Sequence, residues 1–179
     1  MKKKIVAIVL AMVLLVSHQI TNKPTTSKAQ QDAASLAQNL SFTGTWSSDK
    51  WLMSEEQDDW YKLVIPSDGR VELKVMTYID GFTYFQLYTS DFSERLYRDY
   101  AYEGNMTQPD TKVANYSLSK GTYYLKVDNE SYTGKYRLNA SFTSYGVNDN
   151  NAYSYDSPQT YSLGTTITGA ITATDDQDW

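Results

Sequence analysis

The fold of this chain is decided by one stretch, Trp60-Tyr61-Lys62-Leu63-Val64-Ile65-Pro66-Ser67-Asp68-Gly69-Arg70-Val71-Glu72-Leu73-Lys74-Val75. In its first half Tyr61, Leu63 and Ile65 are spaced two residues apart, and the half that begins at Val71 alternates apolar and charged residues in the same way. A two-residue period with one apolar face is what a half-buried antiparallel strand requires. The Pro-Ser-Asp-Gly sequence between the halves is typical of a tight turn. The stretch therefore predicts two β-strands joined by a turn.

The same alternation recurs at residues 84–88, 123–128 and 135–142. Glycine-containing turn signals separate these segments, at Asp80-Gly81, Lys120-Gly121 and Thr133-Gly134. Residues 94–110 are less regular and are expected to form an edge strand and a long loop, and residues 30–38 a short helical turn. Short strands divided by turns, with no long helical pattern, predict an all-β fold, namely an antiparallel, jelly-roll-like β-sandwich.

One motif occurs twice. Thr43-Gly44 leads through an acidic stretch to Trp60, and Thr168-Gly169 leads through another to Trp179, where the sequence stops. The glycines of the two copies are 125 residues apart and the tryptophans 119, so the first copy carries six extra residues. Such self-similarity indicates a repeated module. We therefore expect one complete β-sandwich module at residues 30–145 and the start of a second, truncated copy at residues 146–179.

The first 29 residues have the features of a secretory signal peptide. Three lysines precede the apolar run from Ile5 to Val16, which is too short to span a bilayer comfortably. Small residues at Ser27 and Ala29 predict cleavage after Ala29. The alternative is an uncleaved N-terminal anchor. In either case the sequence predicts an exported protein, secreted or held at the cell surface.

The remaining chain is acidic. Cleavage after Ala29 leaves 11 of the 16 basic residues and all 21 acidic ones, a net charge of −10. Such a surface disfavours nucleic acids and anionic membranes, which bind through Lys and Arg. The chain has no cysteine and its one histidine, His18, precedes the cleavage site. A Ser-His-Asp triad, a cysteine nucleophile and a histidine-ligated zinc are therefore excluded after residue 29, and we expect no catalytic activity. A paired-carboxylate glycosidase is compatible with the composition, but such sites normally need a larger scaffold with a deep cleft.

In order and spacing, the motifs resemble those of the bacterial pre-peptidase C-terminal domain, a secreted β-sandwich module. The matching segments are Asp59-Trp60-Tyr61-Lys62-Leu63-Val64-Ile65-Pro66, Gly69-Arg70-Val71-Glu72-Leu73, Gly121-Thr122-Tyr123-Tyr124-Leu125-Lys126-Val127, Gly134-Lys135-Tyr136-Arg137-Leu138 and Ile167-Thr168-Gly169. The resemblance implies a non-catalytic module that flanks exported enzymes or occurs in tandem on surface proteins; relatives in clostridial collagenases bind collagen and calcium. Here the module follows the signal segment directly. This order favours a bacterial surface protein in which the module serves as a spacer, stabilises the protein or attaches it. The alternative is an appendage of a secreted hydrolase whose catalytic domain lies beyond Trp179.

The acidic stretches are candidate calcium ligands. They contribute Glu56, Asp58, Asp59, Asp175, Asp176 and Asp178. Calcium prefers six to eight oxygen ligands, which loops rich in Asp, Glu and Asn can supply. Alternatively, these carboxylates bond nearby backbone N–H groups or are solvated.

Tyrosines are candidate ligand-binding residues. The chain has 16 of them, and the candidates are Tyr84, Tyr88, Tyr97, Tyr100 and Tyr102. An exposed aromatic strip could grip an extracellular polysaccharide or a matrix protein. Alternatively, these tyrosines reflect only strand propensity. Trp60 is expected to anchor the core, whereas Trp46 and Trp51 are expected to be partly exposed.

Overall fold

The computed structural model describes residues 28–54, 57–129, 132–146, 162–166 and 171–173, with side chains from residue 30 onward. Within these ranges the chain forms helix α1 (Lys28–Leu36) and nine strands. The strands are β1 (Gln38–Asn39), β2 (Lys50–Leu52), β3 (Asp59–Ile65), β4 (Gly69–Thr77), β5 (Phe82–Thr89), β6 (Arg95–Tyr102), β7 (Asp110–Leu118), β8 (Gly121–Asn129) and β9 (Gly134–Ser144).

The strands build two sheets. Sheet A has five strands in the order β1-β3-β8-β5-β6, and sheet B has four in the order β2-β9-β4-β7. Neighbouring strands are antiparallel, except that β1 runs parallel to β3 over two residues. The predicted all-β fold, an antiparallel sandwich, is therefore confirmed.

The core lies between the two sheets. Each segment that alternates in the sequence is a strand, and its predicted apolar face points inward, so that Leu63, Leu73, Leu125 and Leu138 are all almost fully buried. Tyr136 has no exposed surface although it carries a hydroxyl group. With no cysteine in the chain, burial of this apolar layer is the main source of stability.

The predicted turns lie where the sequence places them. The Asp68 carboxylate, in the β3–β4 turn, accepts a 2.7 Å hydrogen bond from the Lys120 backbone N–H and so links this turn to the β7–β8 turn. Gly81 between β4 and β5 has a φ of 147°, a conformation that side chains rarely permit.

Three features differ from expectation. Trp60 is not in the sandwich core: because Tyr61 points inward, Trp60 projects from the outer face of sheet A, where α1 covers it. Strand β7 was not predicted, since only Ala114, Tyr116 and Leu118 alternate inward and an irregular loop precedes them. The expected helical turn is a nine-residue helix that buries Ala33 against Phe92 and Tyr124.

A segment of the expected second copy lies against the module. Its Ala173 N–H donates a 2.9 Å hydrogen bond to the Ser117 carbonyl on β7, the edge strand of sheet B. The Thr172 hydroxyl lies 2.5 Å from that of Ser119, and Thr172 is buried. The signal segment before residue 28 and the repeated acidic stretch at 174–179 lie outside the described residues. Helix α1, the one helix among the described residues, is too short and too polar to cross a membrane.

Candidate functional site: an aromatic patch on sheet A

Four aromatic side chains meet on the outer face of β5 and β6. In the strand register Phe82 lies opposite Tyr102, and Tyr84 lies opposite Tyr100. These four project outward because Thr83, between Phe82 and Tyr84, is buried toward the core. We refer to Phe82, Tyr84, Tyr100 and Tyr102 as the aromatic patch.

The rings of the aromatic patch pack mainly on one another. The Phe82 ring centroid lies 4.3 Å from that of Tyr102, and 5.5 Å from that of Tyr84 in a nearly parallel arrangement. The Arg98 guanidinium lies 4.2 Å from the Tyr84 centroid. In the strand register Arg98 lies opposite Gln86, so Phe82 flanks Tyr84 on one side along β5 and the Gln86–Arg98 pair flanks it on the other. The patch is therefore rigid, since aromatic pairs and cation–π contacts each contribute about 0.5–1.5 kcal/mol.

Tyr100 and Tyr102 give the aromatic patch its solvent-exposed surface, with 47% and 42% of their areas accessible. A hydrogen bond to the start of β7 fixes the end of β6: the Tyr102 backbone N–H donates to the Asp110 carboxylate over 2.9 Å. A hydrogen bond to the Glu103 carboxylate raises the pKa of Tyr102 and uses the one proton of its hydroxyl. The surface thus offers two exposed rings, with a Tyr102 hydroxyl that can still accept a hydrogen bond.

The five tyrosines singled out from the sequence lie in three places. Tyr84, Tyr100 and Tyr102 form the aromatic patch. Tyr88 packs beside α1, with its ring centroid 5.6 Å from that of Trp60. Tyr97 turns inward, and its centroid lies 4.6 Å from that of Tyr116. The fourth member of the patch, Phe82, was missed, although its position two residues before Tyr84 was the available signal.

A polar row separates the aromatic patch from the rings near α1. Lys126 at its centre makes ion pairs of 2.9 Å with Asp58 and 2.7 Å with Asp128. Burial acts to lower the pKa of Lys126, but hydrogen bonds to the two carboxylates outweigh burial and raise it. Gln86 extends the row by donating a 3.1 Å hydrogen bond to Asp128 and accepting one from Tyr88.

The candidate calcium ligands Asp58 and Asp59 point in different directions. Asp58 faces outward to Lys126, whereas Asp59 accepts hydrogen bonds of 2.5 Å from the Tyr136 hydroxyl and 3.1 Å from the Gln57 amide. Glu56, Asp175, Asp176 and Asp178 lie outside the described residues. Among the residues that are described, no three His, Cys, Asp or Glu side chains are grouped so as to hold a metal ion. The calcium site stays a prediction.

No protein-family model and no curated protein matches the chain. Among solved structures, it is similar to the pre-peptidase C-terminal domain of a collagenase from Bacillus anthracis. The identity is 20% and the TM-score 0.44, over 59% of this chain and 94% of that one. The neighbour bears the name of the family that the sequence motifs resemble.

Proposed function

We propose that this chain is a non-catalytic module of an exported bacterial protein, which it attaches to an extended extracellular protein through the aromatic patch. One observation carries the proposal: Tyr100 and Tyr102, on the edge strand β6, are well exposed beside Phe82 and Tyr84, which hold them in place. Exposed tyrosines with fixed rings suit protein recognition, because they bury large areas at a low entropic cost.

The ring geometry favours a protein ligand over a sugar at the aromatic patch. Sugars stack on an open ring face, but the Tyr84 ring already packs against Phe82 and the Arg98 guanidinium, and Phe82 also packs against Tyr102. Tyr100 and Tyr102 then form an exposed ridge of rings and hydroxyls, against which the side chains and backbone of an extended chain can pack. Arg98 and the nearby Glu103 and Asp110 add charged groups of both signs around the ridge.

Retention on insoluble collagen fibres, chosen as an extended matrix protein, tests the proposal. The double variant Tyr100→Ala/Tyr102→Ala should lose retention, whereas Trp51→Ala, which removes an exposed aromatic from sheet B, should keep it. Trp51→Ala should melt close to the parent chain. Tyr100→Ala/Tyr102→Ala also removes the ring contacts with Phe82 and Tyr84, so it should melt at a lower temperature, and retention is compared where all the variants are folded. The double variant Tyr100→Phe/Tyr102→Phe separates the contribution of the hydroxyl groups from that of the rings.

Two results would count against this function. One is a parent chain that does not bind the fibres. The other is a folded Tyr100→Ala/Tyr102→Ala variant that is retained as well as the parent, because attachment would then depend on another surface.

A further inference from the structure

A groove lies at the edge of the sandwich opposite to the aromatic patch. Strands β1 and β6 are the two edges of sheet A, and beside β1 a groove of about 230 Å³ opens between β1, β2 and the connecting segment 40–48. Its lining includes Gln38, Asn39, several serines and threonines, and Trp46. Leu138 and Ala140 of β9 also line it, although both are almost fully buried.

Hydrogen bonds fix the backbone of the groove wall before any ligand binds. The segment that carries Trp46 is bonded to β9 on both sides of that residue: the Gly44 N–H donates 2.8 Å to the Ala140 carbonyl, and the Ser47 N–H donates 2.7 Å to the Leu138 carbonyl. The side chain of Asn139 adds a 2.8 Å hydrogen bond to the Gly44 carbonyl. The backbone on both sides of Trp46 is therefore fixed, and Trp46 lines the groove with 36% of its surface exposed. A ligand would lose little affinity to ordering the site.

The groove is polar and carries a single charge. Among the described residues that line it there is no carboxylate and one cation, Lys50, which donates a 3.0 Å hydrogen bond to the Gln38 side-chain carbonyl. Hydroxyls and amides both donate and accept hydrogen bonds. A neutral ligand rich in hydroxyl groups fits most of these partners, whereas a phosphate or carboxylate would find Lys50 as its one charged partner.

The size and shape of the groove further restrict the class of ligand that it can bind. The volume lies below the roughly 300–1,000 Å³ of typical small-molecule pockets, so one ring-sized unit fits at a time. A peptide bound by strand addition would need a sheet edge to pair with, but β1 and β2 have only two and three residues. A pyranose ring has one apolar face for an indole and hydroxyls around its rim, which is the combination that these walls accept.

We propose that this groove is a saccharide subsite that holds one neutral pyranose unit of an extracellular polysaccharide, with Trp46 as its stacking wall. The site is separate from the aromatic patch and gives the module a second kind of attachment. Trp51, five residues further on, is not part of it: Trp51 lies opposite Lys135 on the outer face of sheet B.

Affinity electrophoresis of the full chain in gels that contain dextran, xylan, mixed-linkage β-glucan or heparin tests the proposal. At least one of the three neutral polymers should retard the parent chain, and heparin should not. Trp46→Ala should weaken retardation about tenfold or more, the equivalent of roughly 1.4 kcal/mol of lost stacking. Trp51→Ala is the matched control and should leave retardation unchanged. Ser48→Arg, which places a long side chain at the groove from an exposed position, should weaken binding without removing the indole.

The outcomes separate this site from the aromatic patch. Tyr100→Ala/Tyr102→Ala should retain polysaccharide binding even where it loses collagen binding. The proposal is overturned if none of the neutral polymers binds, if folded Trp46→Ala and Ser48→Arg both bind like the parent, or if the tyrosine variant loses the polysaccharide instead. Collagen binding that is lost in Trp46→Ala and kept in the tyrosine variant would also overturn it, because the groove would then hold a peptide.

Discussion

At the scale of single residues, the most constrained group is a buried chain of two phenols and a carboxylate. The Tyr136 hydroxyl lies 2.6 Å from that of Tyr61 and 2.5 Å from an Asp59 oxygen. An ionised carboxylate only accepts hydrogen bonds, so Tyr136 donates to Asp59 and Tyr61 donates to Tyr136. The order of donors is thereby fixed, and the two substitutions that each remove one hydroxyl have unequal consequences.

We expect Tyr136→Phe to lower the free energy of unfolding by about 1–3 kcal/mol, because it leaves both the Tyr61 hydroxyl and an Asp59 oxygen without their partner. Tyr61→Phe removes only one donor, and Tyr136 still donates to Asp59, so its cost should be about 0.5–1.5 kcal/mol. Urea denaturation of the two variants and the parent measures the difference. Equal losses, or a larger loss for Tyr61→Phe, would contradict this order of donors.

The sequence predicted that Tyr61 and Tyr136 both point inward, but not that their hydroxyls form a hydrogen bond with each other. Alternation places Tyr61 and Tyr136 on the apolar faces of β3 and β9, and both are buried. Their hydrogen bond joins positions 75 residues apart, on different sheets, and local periodicity contains no information on which strands face each other. Trp60 was misplaced for a related reason: a large aromatic at the start of a strand was assigned to the sandwich core, although its neighbour Tyr61 already occupied the inward position.

At the scale of elements, the segment between β6 and β7 determines where the aromatic patch ends. Gly104 lies against β4, and a Cβ atom built on it would be 2.1 Å from the Thr77 carbonyl oxygen and 2.9 Å from the Thr77 methyl group. Just before it, Glu103 has a φ of 58°, an uncommon value for a residue with a side chain. The turn therefore depends on close contact with the strand beneath it, and Tyr102 is adjacent to that turn.

Gly104→Ala should destabilise the protein by more than about 2 kcal/mol, since backbone atoms must separate to admit the methyl group. Gly121→Ala is the matched control, because its nearest neighbour would be a Tyr123 ring atom at an ordinary 3.6 Å. Thermal melts of both variants provide the test. A Gly104→Ala variant as stable as Gly121→Ala would mean that the turn can move away from β4.

Element boundaries followed from the sequence wherever one face is strongly apolar. The edge strand expected within residues 94–110 is β6, and the loop expected after it precedes β7. Strand β7 was not predicted because its alternation of polar and apolar residues is weak: the apolar Val113 lies on the exposed face, and the small Ala114 lies on the buried face. The groove beside Trp46 could not be predicted either, since it depends on hydrogen bonds between residues far apart in the sequence, such as Gly44 and Asn139, which are 95 positions apart.

At the scale of the whole molecule, the core is unusual in holding several phenols instead of only aliphatic side chains. Burial raises the pKa of Tyr61 to about 12 and also raises the pKa values of Tyr116 and Tyr136. In an unfolded chain, tyrosines ionise near pH 10. Above about pH 10 the unfolded chain therefore binds fewer protons than the folded one, and the free energy of unfolding falls as the pH rises.

The contribution of these tyrosines to stability should be complete below about pH 10 and should disappear as the pH rises toward 12 and beyond. Urea midpoints measured at stepped alkaline pH, together with phenolate absorbance, provide the test. Tyr116→Phe is an informative control: among the described residues, its buried hydroxyl has no hydrogen-bond partner. The variant should match or exceed the parent stability at neutral pH and lose less of it in alkali. A parent chain whose buried phenols ionise together with the exposed ones while still folded would contradict the expectation.

Strand β9 is the last strand of the module, yet it is not at the edge of its sheet. It pairs with β4 over nine residues on one side and with β2 on the other, whereas β1, the first strand after α1, pairs with β3 over only two. A pull on the polypeptide would therefore meet unequal resistance at the two ends. Tension from the N-terminal side can peel β1 away one bond at a time, but tension along β9 must shear two ladders at once. The fold is thus mechanically asymmetric, with a weakly paired strand near its N-terminal end and a doubly paired one at β9.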